Sequence, residues 1–229
     1  MRKVILIQAR LSSSRFPKKM LHQLNGISLI EYVYNRCKQS NRADDVVVIT
    51  SIEKSDDELF ELCKSKNIAV YRGDLNNVLK RYIGASEFFD VDVICRVCGD
   101  SPFVDIEAID KMFLQFNDVA TLDYMQTKNT LNGFMSEVFT LNLLKKIYNA
   151  DLSVEDKEHV TKYLRDNMSN FNTKELILDL RPEELAKFTL TIDYLDDIFI
   201  AEKIIRHLIN YEFKSNDIIE ILKKLERVK

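Results

Sequence analysis

Between Arg10 and Lys19 the chain carries two arginines, two lysines and three serines, and no Asp or Glu precedes Glu31. Guanidinium, ammonium and hydroxyl groups packed this closely can supply both charge and hydrogen bonds to a polyphosphate. The plainer reading is a loop whose cations are simply solvated. The stretch is neither a G-x-x-x-x-G-K-[ST] phosphate loop nor a dinucleotide fingerprint, because the first glycine is Gly26. Two carboxylates add a second kind of chemistry. Asp100 follows Gly99 in "RVCGDSPFVD", where glycine permits a tight turn and Pro102 stops a strand. Asp193 closes "LTID", ahead of Asp196 and Asp197. Asp100 and Asp193, with phosphates and water, would complete the octahedral oxygen set that Mg²⁺ prefers. Turn or cap roles are the alternative for Asp100. Asp105, Asp196 and Asp197 are read as helix-terminus residues favoured by capping and the dipole.

Other reactive residues carry less. Cys95 and Cys98 spell C-x-x-C, but residues three apart on a strand point to opposite faces and cannot share a metal. Cys37 and Cys63 are isolated, so no second pair at zinc spacing exists. Cys95 and Cys98 are expected to pack in or beside a central strand and stay chemically quiet. His159, in "DKEHVTKYL", is either a substrate contact or an ordinary helix residue.

These groups need a scaffold to bring them together. The chain has 229 residues, 46% of them hydrophobic, which suffices for one substantial core. A net charge of −3 argues against a surface that coats nucleic acid, so the basic stretch is local and suits a small anionic ligand. Four cysteines do not make a disulfide framework, and no apolar run reaches membrane-spanning length. A soluble, cytoplasmic protein without nucleic-acid or membrane partners is expected. Gly and Pro are scarce and no linker or repeat interrupts the chain, so one domain spans 1–229.

Apolar runs of strand length recur at 3–9, 45–50, 68–71, 92–97 and 188–193. Helical spacing falls between and after them: Ile27 to Cys37, around Leu59 and Cys63, Val78 to Ile83, Ile109 to Phe116, then 154–167, 196–209 and 215–227. Strand and helix alternate, and the strands show little polar alternation. That pattern predicts an α/β fold in three layers, with a mostly parallel sheet covered on both faces. Ligands of such sheets sit outside the carboxyl ends of the strands. Residues 10–19, Thr50, Ser51, Arg72, Gly73, Gly99, Asp100 and Asp193 all leave strands at that end.

The set "QARLSSSRFPKKML", "GISLIEYV", "VVVITS", "YRGDLNNVLKRY", "RVCGDSPFVD", "EHVTKY" and "LTIDYLDD" resembles the cytidylyltransferase family. That family includes the acylneuraminate and 3-deoxy-manno-octulosonate enzymes, and the spore coat polysaccharide branch is the most similar. The resemblance runs in order from Val4 to about Ile204. It implies a nucleotide-diphospho-sugar transferase fold and transfer of CMP from CTP to an acidic sugar or related hydroxyl acceptor. Pyrophosphate would be released, in surface polysaccharide or glycoconjugate precursor synthesis. By motif match, Arg10, Ser13, Arg15 and Lys19 would hold the triphosphate, and Thr50, Ser51, Arg72, Gly73 and Arg96 would lie beside the nucleotide. Asp100 and Asp193 would match the Mg²⁺ ligands. Glu137, Glu158 and His159 would serve the acceptor. A homodimer is implied, with the stretch 120–140 a possible dimerisation or acceptor excursion. The chain departs from the family pattern at Lys18, where Gly is usual, at Lys157, where Arg is usual, and at Met135, where Asp is usual.

In-line attack on the α-phosphorus leaves positioning and charge neutralisation to the protein. Two rivals stand beside this reading. A glycosyltransferase of the same broad fold would usually carry Asp-x-Asp, where this chain has Asp100-Ser101-Pro102. A non-catalytic nucleotide-binding protein would have no need of both aspartates.

Overall fold

A computed structural model describes residues 1–118 and 122–227. In chain order the elements are β1 (Lys3–Gln8), β2 (Gln23–Leu24), β3 (Ile27–Ser28), α1 (Leu29–Cys37), β4 (Asp45–Ser51), α2 (Asp57–Ser65), β5 (Val70–Gly73), α3 (Val78–Phe88), β6 (Val93–Cys98) and α4 (Ile106–Asp118). There follow β7 (Tyr124–Thr130), β8 (Glu137–Thr140), α5 (Leu141–Tyr148), α6 (Val154–Glu158), α7 (Lys162–Asp166), β9 (Thr173–Leu180), α8 (Leu195–Ile205) and α9 (Ser215–Arg227). Among the described residues, seven strands form one sheet in the order β5-β4-β1-β6-β8-β7-β9. β5, β4, β1 and β6 pair in parallel, β8 runs antiparallel to both β6 and β7, and β9 is parallel to β7.

Alternation along β1 divides the core into two layers. Ile5 and Ile7 pack with Tyr32 and Val33 of α1, Leu59 of α2, Phe113 of α4, Ile204 of α8 and Leu222 of α9. Val4 and Leu6 pack with Leu79 and Tyr82 of α3 and with Leu143 and Ile147 of α5. Both faces of β1 and β4 are therefore dry, as their apolar runs require. Local caps open the helices, and the one at Asp105 is as expected. Ser28 accepts the Glu31 amide at the start of α1, and Asp105 accepts the Ala108 amide at 2.9 Å at the start of α4. No helix among the described residues is long and apolar enough to cross a membrane.

The structure departs from expectation in three places. Residues 188–193 are not a strand; they run as an extended strap over the loops at the carboxyl end of the sheet. Leu190 donates its amide to the Asn132 carbonyl at 2.9 Å, and Ile192 donates to the Asp100 carbonyl at 2.8 Å. Leu190 and Ile192 are buried, which accounts for the strand-like alternation without any ladder. Second, the helical pattern at 154–167 breaks into α6 and α7 around His159. Third, 124–130 and 137–140 are strands of the sheet, within the stretch expected as an excursion; residues 119–121 of that stretch lie outside the described residues.

Candidate active site

Strand order reverses at β1, which has β4 on one side and β6 on the other. Loops leaving the carboxyl ends of β1 and β6 diverge there and open a cleft, the usual ligand position in such sheets. A buried carboxylate holds the first of these loops down. Asp56 accepts the Leu11 amide at 2.7 Å and the Ser51 hydroxyl, so the base of the basic loop is tied to the end of β4. Sequence reasoning missed Asp56, because in "KSDDE" it looks like any acidic residue opening a helix.

The loop then turns through Lys18, whose φ of 56° and ψ of 22° are left-handed, and enters a single 3₁₀ turn at Lys19–Leu21. This conformation explains why glycine suits the position: a side chain there costs roughly 1–2 kcal/mol. The Lys18 ammonium points away from the cleft, to Glu58 of α2. Lys18→Gly should therefore raise stability by up to about 1 kcal/mol, after the greater chain entropy of glycine is offset. A higher urea midpoint at unchanged slope is the expected reading. A fall of that size would mean that the exposed Glu58 pair outweighs the backbone strain.

A cavity of about 540 Å³ lies inside the loop, lined among others by Arg10, Ser13, Arg15, Lys19, Asp100 and Asp193. Lys19 is its centre of charge. Its ammonium lies 2.7 Å from Asp100 Oδ2, 2.7 Å from the Ile192 carbonyl and 3.4 Å from Asp193 Oδ1. Arg15 reaches the same Asp193 oxygen at 2.6 Å, with its guanidinium 5.5 Å from the Tyr194 ring centre. Thr191 donates to Asp193 Oδ2 at 3.2 Å. Asp197, at the start of α8, accepts the amides of Asp193 and Tyr194, both at 2.7 Å, so this helix cap also fixes the backbone of Asp193. Arg10 is half exposed and faces Glu158 at 3.9 Å.

Of the other expected nucleotide contacts, Arg96 lines a second cavity described below, and four line neither. Thr50 is fully buried, with no hydrogen-bond partner for its hydroxyl. Ser51 is occupied by Asp56. Arg72 donates to the carbonyls of Ser51 at 2.8 Å and Glu53 at 2.9 Å, and pairs with Asp57. Gly73 leaves room for Arg81, whose Cγ would lie 2.9 Å from an added Cβ. None of these four lines the 540 Å³ cavity.

A second cavity, of about 380 Å³, adjoins the first and shares Cys98 and Asp100 with it. Its floor is a polar row across the sheet, where Arg96, Glu137 and Gln126 are register neighbours on β6, β8 and β7. Glu137 is the hub of this row. It accepts from Arg96 at 2.8 Å, the Tyr124 hydroxyl at 2.6 Å, Thr161 at 3.1 Å and Arg165 at 3.4 Å. Burial pushes its carboxyl up, but Arg96, the Tyr124 hydroxyl and Arg165 together hold it below the usual glutamate range. With four donors engaged, Glu137 orients the arginines.

Arg165 was not singled out from sequence. The break at His159 resets the helix, and Thr161 and Arg165, one turn apart, reach the cavity side. Glu158 and the exposed His159 line neither cavity. Gly133 lets the strap pass: its φ is 102°, and an added Cβ would meet Leu190 Cβ at 2.7 Å. Of the cysteines, Cys95 is core and its thiol is pushed up by burial, whereas Cys98 lines both cavities. All four are free.

The aspartates pass a simple test as cation ligands. One ammonium already lies within hydrogen-bond reach of both carboxylates, so their oxygens converge on a single cation-sized locus. No cluster of three or more His, Cys, Asp or Glu suited to a metal exists among the described residues. A Mg²⁺ ion held here would fill its other positions with phosphate oxygens and water, its common arrangement.

Comparison with known proteins agrees with this architecture. The family described as Cytidylyltransferase matches residues 4–229. An uncharacterized protein of Methanocaldococcus jannaschii is 36% identical over 229 residues, spanning 98% of this chain and 91% of its own. The spore coat polysaccharide biosynthesis protein SpsF of Bacillus subtilis is 34% identical over 202 residues, spanning 85% and 82% respectively. The solved structure of a cytidylyltransferase from Leptospira borgpetersenii superimposes with a TM-score of 0.92 at 29% identity, covering 100% of this chain and 96% of that one.

Proposed function

The chain belongs to the cytidylyltransferase family, and from that premise we propose that it transfers CMP from CTP to a hydroxyl of an acidic sugar or related acceptor. The observation that carries this reading is the pair of cavities meeting at Asp100, one rich in cations and the other polar. The triphosphate lies in the first, against Arg10, Ser13, Arg15 and Lys19. The acceptor lies in the second, where Arg96 and Arg165 offer charge to a carboxylate and Gln126 offers an amide. Its hydroxyl oxygen then arrives beside Asp100 and attacks the α-phosphorus, releasing its proton to water. The bond to the bridging oxygen breaks, and pyrophosphate leaves with its charge facing Arg15 and Lys19. A divalent ion held by Asp100 and Asp193 would supply further neutralisation on the phosphates when bound. The protein's part is placement and preorganised charge. The homodimer belongs to the same reading and is read directly by light scattering.

A panel of the four nucleoside triphosphates with Mg²⁺ tests the nucleotide. Binding raises apparent stability by about 2.7 kcal/mol when ligand is at a hundred times Kd, so the preferred base stands out in thermal unfolding. CTP should stabilise strongly and UTP weakly, because a site built for an amino group rejects its absence. Equal stabilisation by UTP would overturn the assignment. Pyrophosphate release on adding acidic sugars then reads the transfer itself.

A further inference from the structure

We propose that Lys19 is the resident counter-cation of the metal site, and that a divalent ion enters only after a triphosphate has drawn Lys19 off the aspartates. The inference rests on the proposed use of CTP, since the triphosphate is what competes for the ammonium. Lys19 is buried, with 9% of its side chain exposed, and each of its three N–H donors has an acceptor: Asp100, Asp193 and the Ile192 carbonyl. Those carboxylate oxygens are the ones a metal would need. An Mg²⁺ ion on these oxygens, at about 2.0–2.1 Å, would stand within a few ångströms of the buried ammonium, and like-charge repulsion sets the two in competition.

Charge points the same way. Asp100 and Asp193 face Lys19 and Arg15, so the pairs already balance. Arg15 is mostly exposed and its hold on Asp193 is weakened by solvent, whereas Lys19 is desolvated and fully bonded. A metal arriving alone would displace a satisfied ammonium and leave it buried beside a dication. A triphosphate changes the balance. Lys19 lines the phosphate cavity as well as touching the aspartates, and its four-carbon stem lets it exchange carboxylate for phosphate acceptors. The vacated oxygens then face a metal with only the mostly exposed Arg15 as a competing cation. Metal and nucleotide therefore bind with positive coupling, and by linkage each tightens the other by the same factor.

The experiment uses Mn²⁺ as the probe on nucleotide-free protein, with free ion followed by electron paramagnetic resonance. Wild type should show no tight site. Lys19→Met, which keeps length and drops charge, should bind Mn²⁺ at least about tenfold tighter. Asp193→Asn in that background should abolish the gain. Lys19→Gln repeats the measurement with a side chain that still donates to the strap, should the methionine variant fold poorly. Thermal unfolding gives a second readout: Mn²⁺ should stabilise the Lys19 variants far more than wild type. Equal Mn²⁺ affinity in wild type and both variants would overturn the proposal, as would a gain that survives Asp193→Asn. CTP binding to wild type in EDTA separates the two readings. Its absence, with or without added metal, counts against nucleotide transfer, while an Mn²⁺ gain in the Lys19 variants still supports the guarded site.

Discussion

Asp100→Asn and Asp193→Asn should each slow pyrophosphate release by about 10²–10³, or roughly 3–4 kcal/mol of transition-state stabilisation. Asparagine keeps the size and one acceptor oxygen while removing the charge. Both residues stand at the mouth of the sheet, in the loop after β6 and in the strap, so the core is expected to survive. Their convergence on one ammonium indicates that they act as a unit. The double variant should consequently be barely worse than the worse single, since groups that act together are strongly non-additive. A magnesium titration of pyrophosphate release for the two singles and the double measures this. If Asp193→Asn matches wild type at every magnesium concentration, Asp193 serves only to enter α8 and the paired site is wrong.

Glu137→Ala should cost about 3–5 kcal/mol of stability, the usual consequence of removing one partner from a buried ion pair. The residue is 8% exposed, and its loss strands Arg96 and leaves the Tyr124 hydroxyl without its carboxylate. Glu137→Gln keeps the shape and isolates the charge. Because the folded-state carboxyl is held below its ordinary range, it contributes stability that is complete above the unfolded glutamate pKa of about 4.3. That contribution is lost as pH falls through the depressed folded value. Wild type should thus lose stability more steeply than Glu137→Gln as pH drops below about 4. Urea midpoints taken across that range compare the two, and parallel curves would show that Glu137 is not the charged hub. Activity carries a separate signature. With Arg96 and Arg165 released, the acceptor requirement should rise more than the CTP requirement.

The central strands and the basic loop are legible in the amino-acid sequence alone. β1 and β4 are apolar runs buried on both faces, and β6 is one up to Arg96; such runs identify themselves without reference to neighbours. The basic loop is legible because four cations stand within residues 10–19 and no acid precedes Glu31. Asp100 is marked by Gly99 and Pro102 on either side, and Asp105 by its place ahead of an amphipathic helix.

Less of the second cavity is legible. β7 and β8 carry Gln126, Lys128 and Glu137 where a core strand would be apolar, because they form the floor of a cavity, and β9 is a half-exposed edge strand. The strap at 188–193 alternates like a strand, yet alternation reports only that a segment is extended with one face buried. It does not name the partner, which here is two loops. Arg165 and Asp56 look like ordinary surface charges in their local context. By itself, the sequence determined the parallel core, the cation-rich loop and the two aspartates as candidates. Tertiary structure alone decided that Lys19 bonds to a carbonyl 173 residues away, that Glu137 gathers two arginines, and that Glu158 turns to Arg10. The reason is physical: backbone preference and periodicity are set within a few residues, whereas charge pairing depends on which distant segments the fold brings within a few ångströms.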